Sequence, residues 1–428
     1  MDTLTRLCVV GLAVAGVLAG SAAAQAPSLT DVPATGLTAD HQKMIDAYVE
    51  HWAKALLAAD NAQRVIEIRT ILMRGYNFRG DSEEYKDIYA GSMADRLRAT
   101  LAKPLPADDK LASLKEVNLA ISVNRMSQTS LRALAELMVR HQNPAVRYFG
   151  WNVYSVLRPG LLAEGGDGLG ALFTTTAKTA EIETDPLVLS QLVRTLYLPP
   201  TRPQTVAQDT YRTAQQKFLA ILQAGWNRLC GRVLSMAPGF AETTASGVNA
   251  AGALAKALGE DSARKTALQM VLNAAWASGS AFDRSGQMLA VVADARKIEE
   301  TGEGDLDDVR KTAEKLGTTL EALMSQTGNL QQTVSTNAVL LKECEETLNA
   351  LIDKAPPGNR HIRRPLSSGD RKSGAAVQFG VLTWIDALIK SHQLKHPKSL
   401  VSAAKPTTAP ATKPATAPAT KPATQPAK

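Results

Sequence analysis

The sequence predicts an all-α protein, and three observations carry that prediction. Aromatic residues are only 5% of the chain, and Ala, Leu, Thr and Val carry much of the apolar share, which favours helices packed closely side by side. No run of alternating β-branched residues long enough for a half-buried strand occurs. The stretch "NPAVRYFGWNVYSVLR" (143–158) opens with a helix-start signal, and "DPLVLSQLVRTLYLPP" repeats that arrangement 42 residues later, from Asp185. A repeated helix-entry signal points to an array of helical hairpins.

The first residues read as a targeting signal rather than as part of the fold. Residues 1–24 hold a short polar start with Arg6, an apolar run from Leu7 to about Ala19, and Ala22-Ala23-Ala24 as an A-x-A site. Cleavage after Ala24 is expected, because a cut after Ala26 would place Pro27 just beyond the scissile bond. The mature chain is then exported to the periplasm or the extracellular space, and no later stretch is apolar enough for a membrane span.

From 38 to 200 the sequence predicts helices over 39–58, 61–74, 82–100, 107–125, 128–141, 144–157, 168–180 and 186–197. The third has a capping-box start, Asp81 with Glu84 three residues on. Pro159-Gly160 is expected to close the sixth helix, and "PGLLAEGGDGLG" to form a glycine-rich loop.

Within this region, "LRALAELMVRHQNPAVRYFGWNVYSVL" resembles a HEAT repeat, a unit of two antiparallel helices with a V-R pair early in the second. Asn143 stands at the cap, Pro144 at the first helical position, Val146 and Arg147 at the V-R places, and Gly150 where the pattern prefers Ala. In the second copy Asp185, Pro186 and Val188 match, but Leu189 replaces the arginine, which breaks any ladder of arginine contacts between neighbours. "DNAQRVIEIRTILMRG", from Asp60, is an earlier copy at twice the period, with a degenerate unit near Asp108 between. The resemblance covers roughly residues 40–200 and implies an α-solenoid, an architecture that exposes extended binding surfaces.

Residues 205–300 read as a second helical region, either continuing the array or forming its own bundle, with Trp226 and Trp276 as packing residues. Residues 305–353 carry the clearest pattern. Leu306, Val309, Ala313, Leu316, Leu320, Leu323, Thr327, Leu330, Val334, Asn337, Leu341, Cys344, Leu348 and Leu351 recur at alternating spacings of three and four, and twelve of the fourteen are apolar. Asp305, Asp307 and Asp308 suit the positive end of such a helix. Two readings follow: a coiled-coil-like helix or helical hairpin packed on the body, with "SQTGN" as the turn, or the seam of a homo-oligomer.

Residues 354–373 form a basic linker, residues 374–392 a docking helix with Val377, Val381, Trp384, Leu388 and Ile389 on one side, and residues 400–428 a disordered Pro/Ala/Thr/Lys tail of polyproline character. The C-terminal stretch from Lys390 onward explains the net charge of +7, since it holds seven lysines and no carboxylate. Basicity of that kind does not argue for nucleic acid, because the linker arginines have no interleaved aromatics. Arg360, Arg363, Arg364, Arg371 and Lys372 are candidate contacts for an acidic protein partner or an anionic envelope polymer; a solvated connector is the other reading.

No catalytic, cofactor-binding or metal-ligating constellation emerges. "HQLKH" puts His392 and His396 at a spacing zinc uses, but Gln393 stands where H-E-x-x-H needs its base. "GGDGLG" lacks the spacing of a phosphate loop, and the lone S-x-x-K, Ser402 to Lys405, lies in the tail. Cys230 and Cys344, left after export, either pair in an oxidising compartment or remain two buried thiols. The expected role is a non-enzymatic exported scaffold; a homo-oligomer built on 306–351 is the alternative and an unfamiliar helical enzyme the third.

Overall fold

The computed structural model describes residues 26–106, 108–199, 201–352 and 373–397. The expected signal peptide, the linker arginines with Lys372, and the 400–428 tail lie outside the described residues. Among those described, every regular element is a helix: fifteen α-helices and one 3-10 turn, with no strand.

The first part comprises α1 (Ala39–Ala58), α2 (Ala62–Tyr76), α3 (Glu83–Leu101), α4 (Ala112–Ser122), the 3-10 turn Thr129–Leu131, α5 (Arg132–Met138), α6 (Pro144–Glu164), α7 (Gly166–Ile182) and α8 (Pro186–Leu196). Then come α9 (Gln208–Leu234), α10 (Phe240–Leu258), α11 (Asp261–Thr301), α12 (Leu306–Lys315), α13 (Leu320–Ser325), α14 (Thr327–Leu351) and α15 (Ser373–His392).

The packing sorts these helices into two rows. In one, α2, α4, α6, α8, α10 and α14 each rest on the next; in the other, α1 packs on α3, α3 on α5, α7 on α9, α9 on α11, and α11 on α15. Between α5 and α7 the row is joined through side chains, with the Thr175 hydroxyl donating to Glu136 at 3.4 Å. One continuous apolar cluster runs through both rows from Leu29 to Leu394. Inside each row a helix is flanked on both sides, and most helices also pack on the other row, so burial of a wide apolar face drives the array rather than isolated helix propensity.

Helix starts follow the sequence with local corrections. Asn143 and Asp185 cap α6 and α8 as expected, accepting from Ala145 N at 3.0 Å and from Leu187 N and Val188 N at 2.9 and 3.1 Å, with proline first in each helix. For α3 the cap is Ser82, not Asp81, and the Glu84 carboxylate accepts instead from Gly36 N and Leu37 N, tying down the segment that enters α1. The capping box belongs to α1, between Thr38 and His41. The helix expected over 107–125 is shorter, and the one over 128–141 begins as a 3-10 turn.

The expected stop at Pro159-Gly160 does not occur. Helix α6 runs through Pro159 to Glu164, although an interior proline costs a helix about 3 kcal/mol through its missing N–H and ring clash. Pro159 faces solvent, while Leu161 and Leu162 beyond it are buried. Burial of two leucines, worth about 1.5–3 kcal/mol each, outweighs the defect. Of the glycine-rich stretch, only Gly165 separates α6 from α7, and its φ of +67° explains why a glycine makes that reversal.

The heptad segment is likewise not one helix. Gly317, at φ +79°, ends α12, and a second break at Gln326 separates α13 from α14. All fourteen seam positions are nevertheless buried or half-buried, laid against α11, and in its later half also against α10. Helix α11, about 60 Å long by its 41 residues, serves as the spine. Its second half forms a small separate core with the seam's first part: Met288, Val291, Val292 and Ala295 against Ala313, Leu320, Leu323 and Leu330.

Helix α15 docks on α11 through Val377, Val381, Trp384, Ile385 and Leu388, all buried. It ends in a left-handed residue, Gln393 at φ +52°, so His392 and His396 do not share one helical face. No helix among the described residues is long and apolar enough to cross a membrane.

Candidate interaction surface

The two copies of the repeated motif lie side by side, and the junction between them is the most elaborated polar region of the fold. Arg147 is its centre. The guanidinium donates to Glu183 through Nε at 2.7 Å and Nη2 at 2.9 Å, and through Nη1 to the carbonyls of His141 and Gln142 at 3.0 and 2.9 Å. The planar fork allows one side chain to hold a carboxylate and two turn carbonyls together.

Glu183 also accepts from Thr184 N and Asp185 N, both at 2.9 Å, so the carboxylate organises the turn that starts α8. Burial works to raise its pKa, yet the Arg147 hydrogen bonds and the two backbone N–H groups prevail, and the carboxyl sits below the ordinary value. On the other side, the buried Glu116 of α4 accepts from Asn143 Nδ2 at 3.3 Å and faces His141 Nε2 at 3.9 Å.

Leu189 replaces the arginine in the second copy, and the next rung is made differently. Arg228, from α9, donates to the carbonyls of Glu181, Ile182 and Glu183, the unpaired end of α7. Arg158 does the same for α8, donating to Thr195 O at 2.8 Å and Tyr197 O at 2.5 Å. Orphan carbonyls at the negative end of a helix dipole are satisfied by a guanidinium from a neighbouring helix. Sequence reasoning missed both arginines, because nothing in their local pattern marks the helix end they will meet.

Beside this polar ladder lies an apolar groove of about 510 Å³ between the first turns of α6 and α8, lined by Pro144, Ala145, Tyr148, Leu187 and Val188, with the two caps Asn143 and Asp185 at its rim. Leu187 is 68% exposed and Ile182, on the adjoining turn, 74% exposed, an unusual investment of large apolar side chains in water. Tyr148 is partly buried and stands edge-on to Phe149 with ring centres 5.3 Å apart, so its ring is held in place. Groove and ladder are thus built from the same repeated motif.

Two wider grooves are more polar. One of about 620 Å³ between α1 and α3 carries Asp46, Glu50, Asp87, Asp95 and Arg96, and one of about 520 Å³ between the end of α3 and α5 carries Glu136, Arg140 and His141. The carboxylates of the first are largely engaged: Glu50 with Lys54 and Arg96, Asp46 with the Ser92 hydroxyl. Among the described residues no group of three or more His, Cys, Asp and Glu is placed to hold a metal ion. Cys230 and Cys344 are free thiols, both fully buried, and burial pushes both thiols well above the ordinary range.

No protein-family model matches the chain, and no curated protein matches it. Among solved structures, the crystal structure of an engineered protein is similar over 84% of this chain and 94% of that one, at 15% identity and a TM-score of 0.28. At that level the likeness carries no argument, and the architecture rests on the helix packing described above.

Proposed function

We propose that this protein is an exported, non-enzymatic scaffold of HEAT-like helical repeats that docks a protein partner along the α6–α8 edge. The observation that carries the reading is the groove at the repeated motif: two exposed large apolar residues, Ile182 and Leu187, beside a positioned tyrosine on a rigid base. Arrays of this kind present binding residues on short turns held by packed helices. The N-terminal segment supports export, and the basic linker and tail suit a second, nonspecific contact with an anionic envelope surface.

Assembly of identical chains through residues 306–351 is disfavoured by one observation: the seam that would zip such an oligomer is laid against α11 and α10 of the same chain. The test places a photo-reactive amino acid at Leu187 in the protein in its native envelope, with Leu258 as a buried control. Capture of one defined protein from Leu187, retained without residues 400–428, supports the reading. Capture only of a second copy of this chain supports the oligomer, and no capture above the control removes the groove from consideration.

A further inference from the structure

The strongest unassigned group is the His141 imidazole, buried in the turn between α5 and α6. Its side chain is 6% exposed and that of Glu116 opposite is 7% exposed. Nδ1 accepts from the backbone N–H of Asn143 at 3.1 Å, which makes the ring neutral with its proton on Nε2, facing Glu116. Asn143 is thereby held at three points: its N–H on His141, its Oδ1 capping Ala145 N at 3.0 Å, and its Nδ2 on Glu116 and, at 3.0 Å, on the Ser113 hydroxyl. Of these bonds, the one to Nδ1 requires a neutral ring, because a protonated Nδ1 has no lone pair to accept with.

The geometry points to an acid-released latch: protonation of His141 turns its Nδ1 from acceptor to donor, expels the Asn143 N–H, and loosens the first turn of α6, which then keeps only the Ser113 bond of Asn143 to α4. With both ring nitrogens donating, Nε2 also draws Glu116 toward itself and away from Asn143 Nδ2. The Asn143 N–H then has no acceptor in the turn, and the cap of α6 loses two of its anchors. Because Asn143, Pro144, Ala145 and Tyr148 line the apolar groove, release reshapes it; only this consequence rests on the docking function proposed above.

The surroundings set the direction. From α4 the ring faces Glu116, while neighbouring Lys115 is tied to Asp109 at 2.8 Å. From α5 come Glu136 and Arg140, paired with each other at 3.4 Å, and from α6 comes Arg147, which engages Glu183 of the next turn. The end of α3 contributes the apolar Leu101 and Pro104. Burial disfavours the imidazolium, Glu116 favours it, and the Arg147 charge opposes it again, so the ring stays neutral below the ordinary histidine range. A depressed histidine contributes stability that is complete above the unfolded value and is lost as the pH falls toward the folded one.

The test is amide hydrogen exchange on the full chain without any partner, which separates the latch from the docking function. Protection of residues 143–147, corrected for intrinsic rates, should fall at least about threefold between about pH 7.5 and pH 5, across the histidine range, with α11 as reference. In His141→Asn, whose side-chain oxygen can take the place of Nδ1 but does not titrate, protection should stay level. Glu116→Gln should move the release to lower pH. If the asparagine variant folds poorly, ¹⁵N shifts of the wild-type imidazole should show the Nε2–H form at neutral pH and a titration coincident with the loss of protection. Equal loss in wild type and His141→Asn, or no loss in the wild type, overturns the proposal.

Discussion

Arg147 and Glu183 join two successive units of the array by a bidentate ion pair, with N–O distances of 2.7 and 2.9 Å and only 4% of the glutamate side chain exposed. Because the same guanidinium holds the carbonyls of His141 and Gln142, the pair fixes the end of one hairpin against the start of the next.

Removing one partner of such a pair leaves a buried charge uncompensated, so Arg147→Met should lower the unfolding free energy by about 3 kcal/mol in urea titrations at neutral pH. The pH dependence follows from the sign of the shift. Glu183 is held below its unfolded value near 4.5, so the pair's stability is present above that pH and is lost as pH falls through the lower folded value. Arg147→Met should therefore flatten the acid limb of stability against pH.

Gly150 packs against the preceding helix so closely that a Cβ would lie 2.8 Å from Val139 N and 2.8 Å from Met138 Cβ. The helix-propensity gain of alanine, up to about 1 kcal/mol, is smaller than the cost of moving backbone in a filled core. Gly150→Ala should be destabilising by about 1–3 kcal/mol, measured as a fall in urea midpoint, even though alanine is the better helix former.

Gln393 closes α15 in the left-handed conformation, with Leu394 N bonded back to Ile389 O at 3.4 Å and Leu394 buried beneath. Its own side chain is exposed, so nothing is lost from the core by removing it. Gln393→Gly should raise stability by about 0.5–1 kcal/mol, read as a higher melting temperature.

Leu341, a seam residue with no exposed surface, lies within the chain's own core. Leu341→Ala should cost about 2–5 kcal/mol through lost burial and the cavity left behind. The melting temperature of both forms should be independent of protein concentration, whereas a seam shared between chains would make it rise with concentration.

Cys230 and Cys344 should be inert to a thiol reagent in the folded protein, because burial suppresses the thiolate that reacts. Both should react once urea unfolds the chain, a count checked by mass spectrometry of the labelled peptides.

Much of the helix inventory was legible in the sequence. Asn143-Pro144 and Asp185-Pro186 announce helix starts by local chemistry, because a cap and the proline after it act on backbone groups one to three residues away. The stripe from Leu306 to Leu351 was legible as a buried face, and the face of α15 likewise. The polar ladder was legible only in part: Arg147 was marked by its place in the repeat, whereas Arg158, Arg228 and the Glu116–His141 pair meet partners 20 or more residues distant and carry no local signal. The groove was not legible, since Leu187 looks in sequence like any apolar residue of a first helical turn.

The sequence by itself determined the all-α class, most helix starts and which stripe of each helix is apolar, because these depend on spacings within a few turns of chain. Only the tertiary structure decided where each stripe is spent. It carried α6 past Pro159, since two buried leucines outweigh one lost hydrogen bond, and it set the seam against α11, since a 41-residue helix already offers an apolar face within reach of a chain that Gly317 can turn. Burial is a sum over neighbours from the whole fold, and no local window contains that sum.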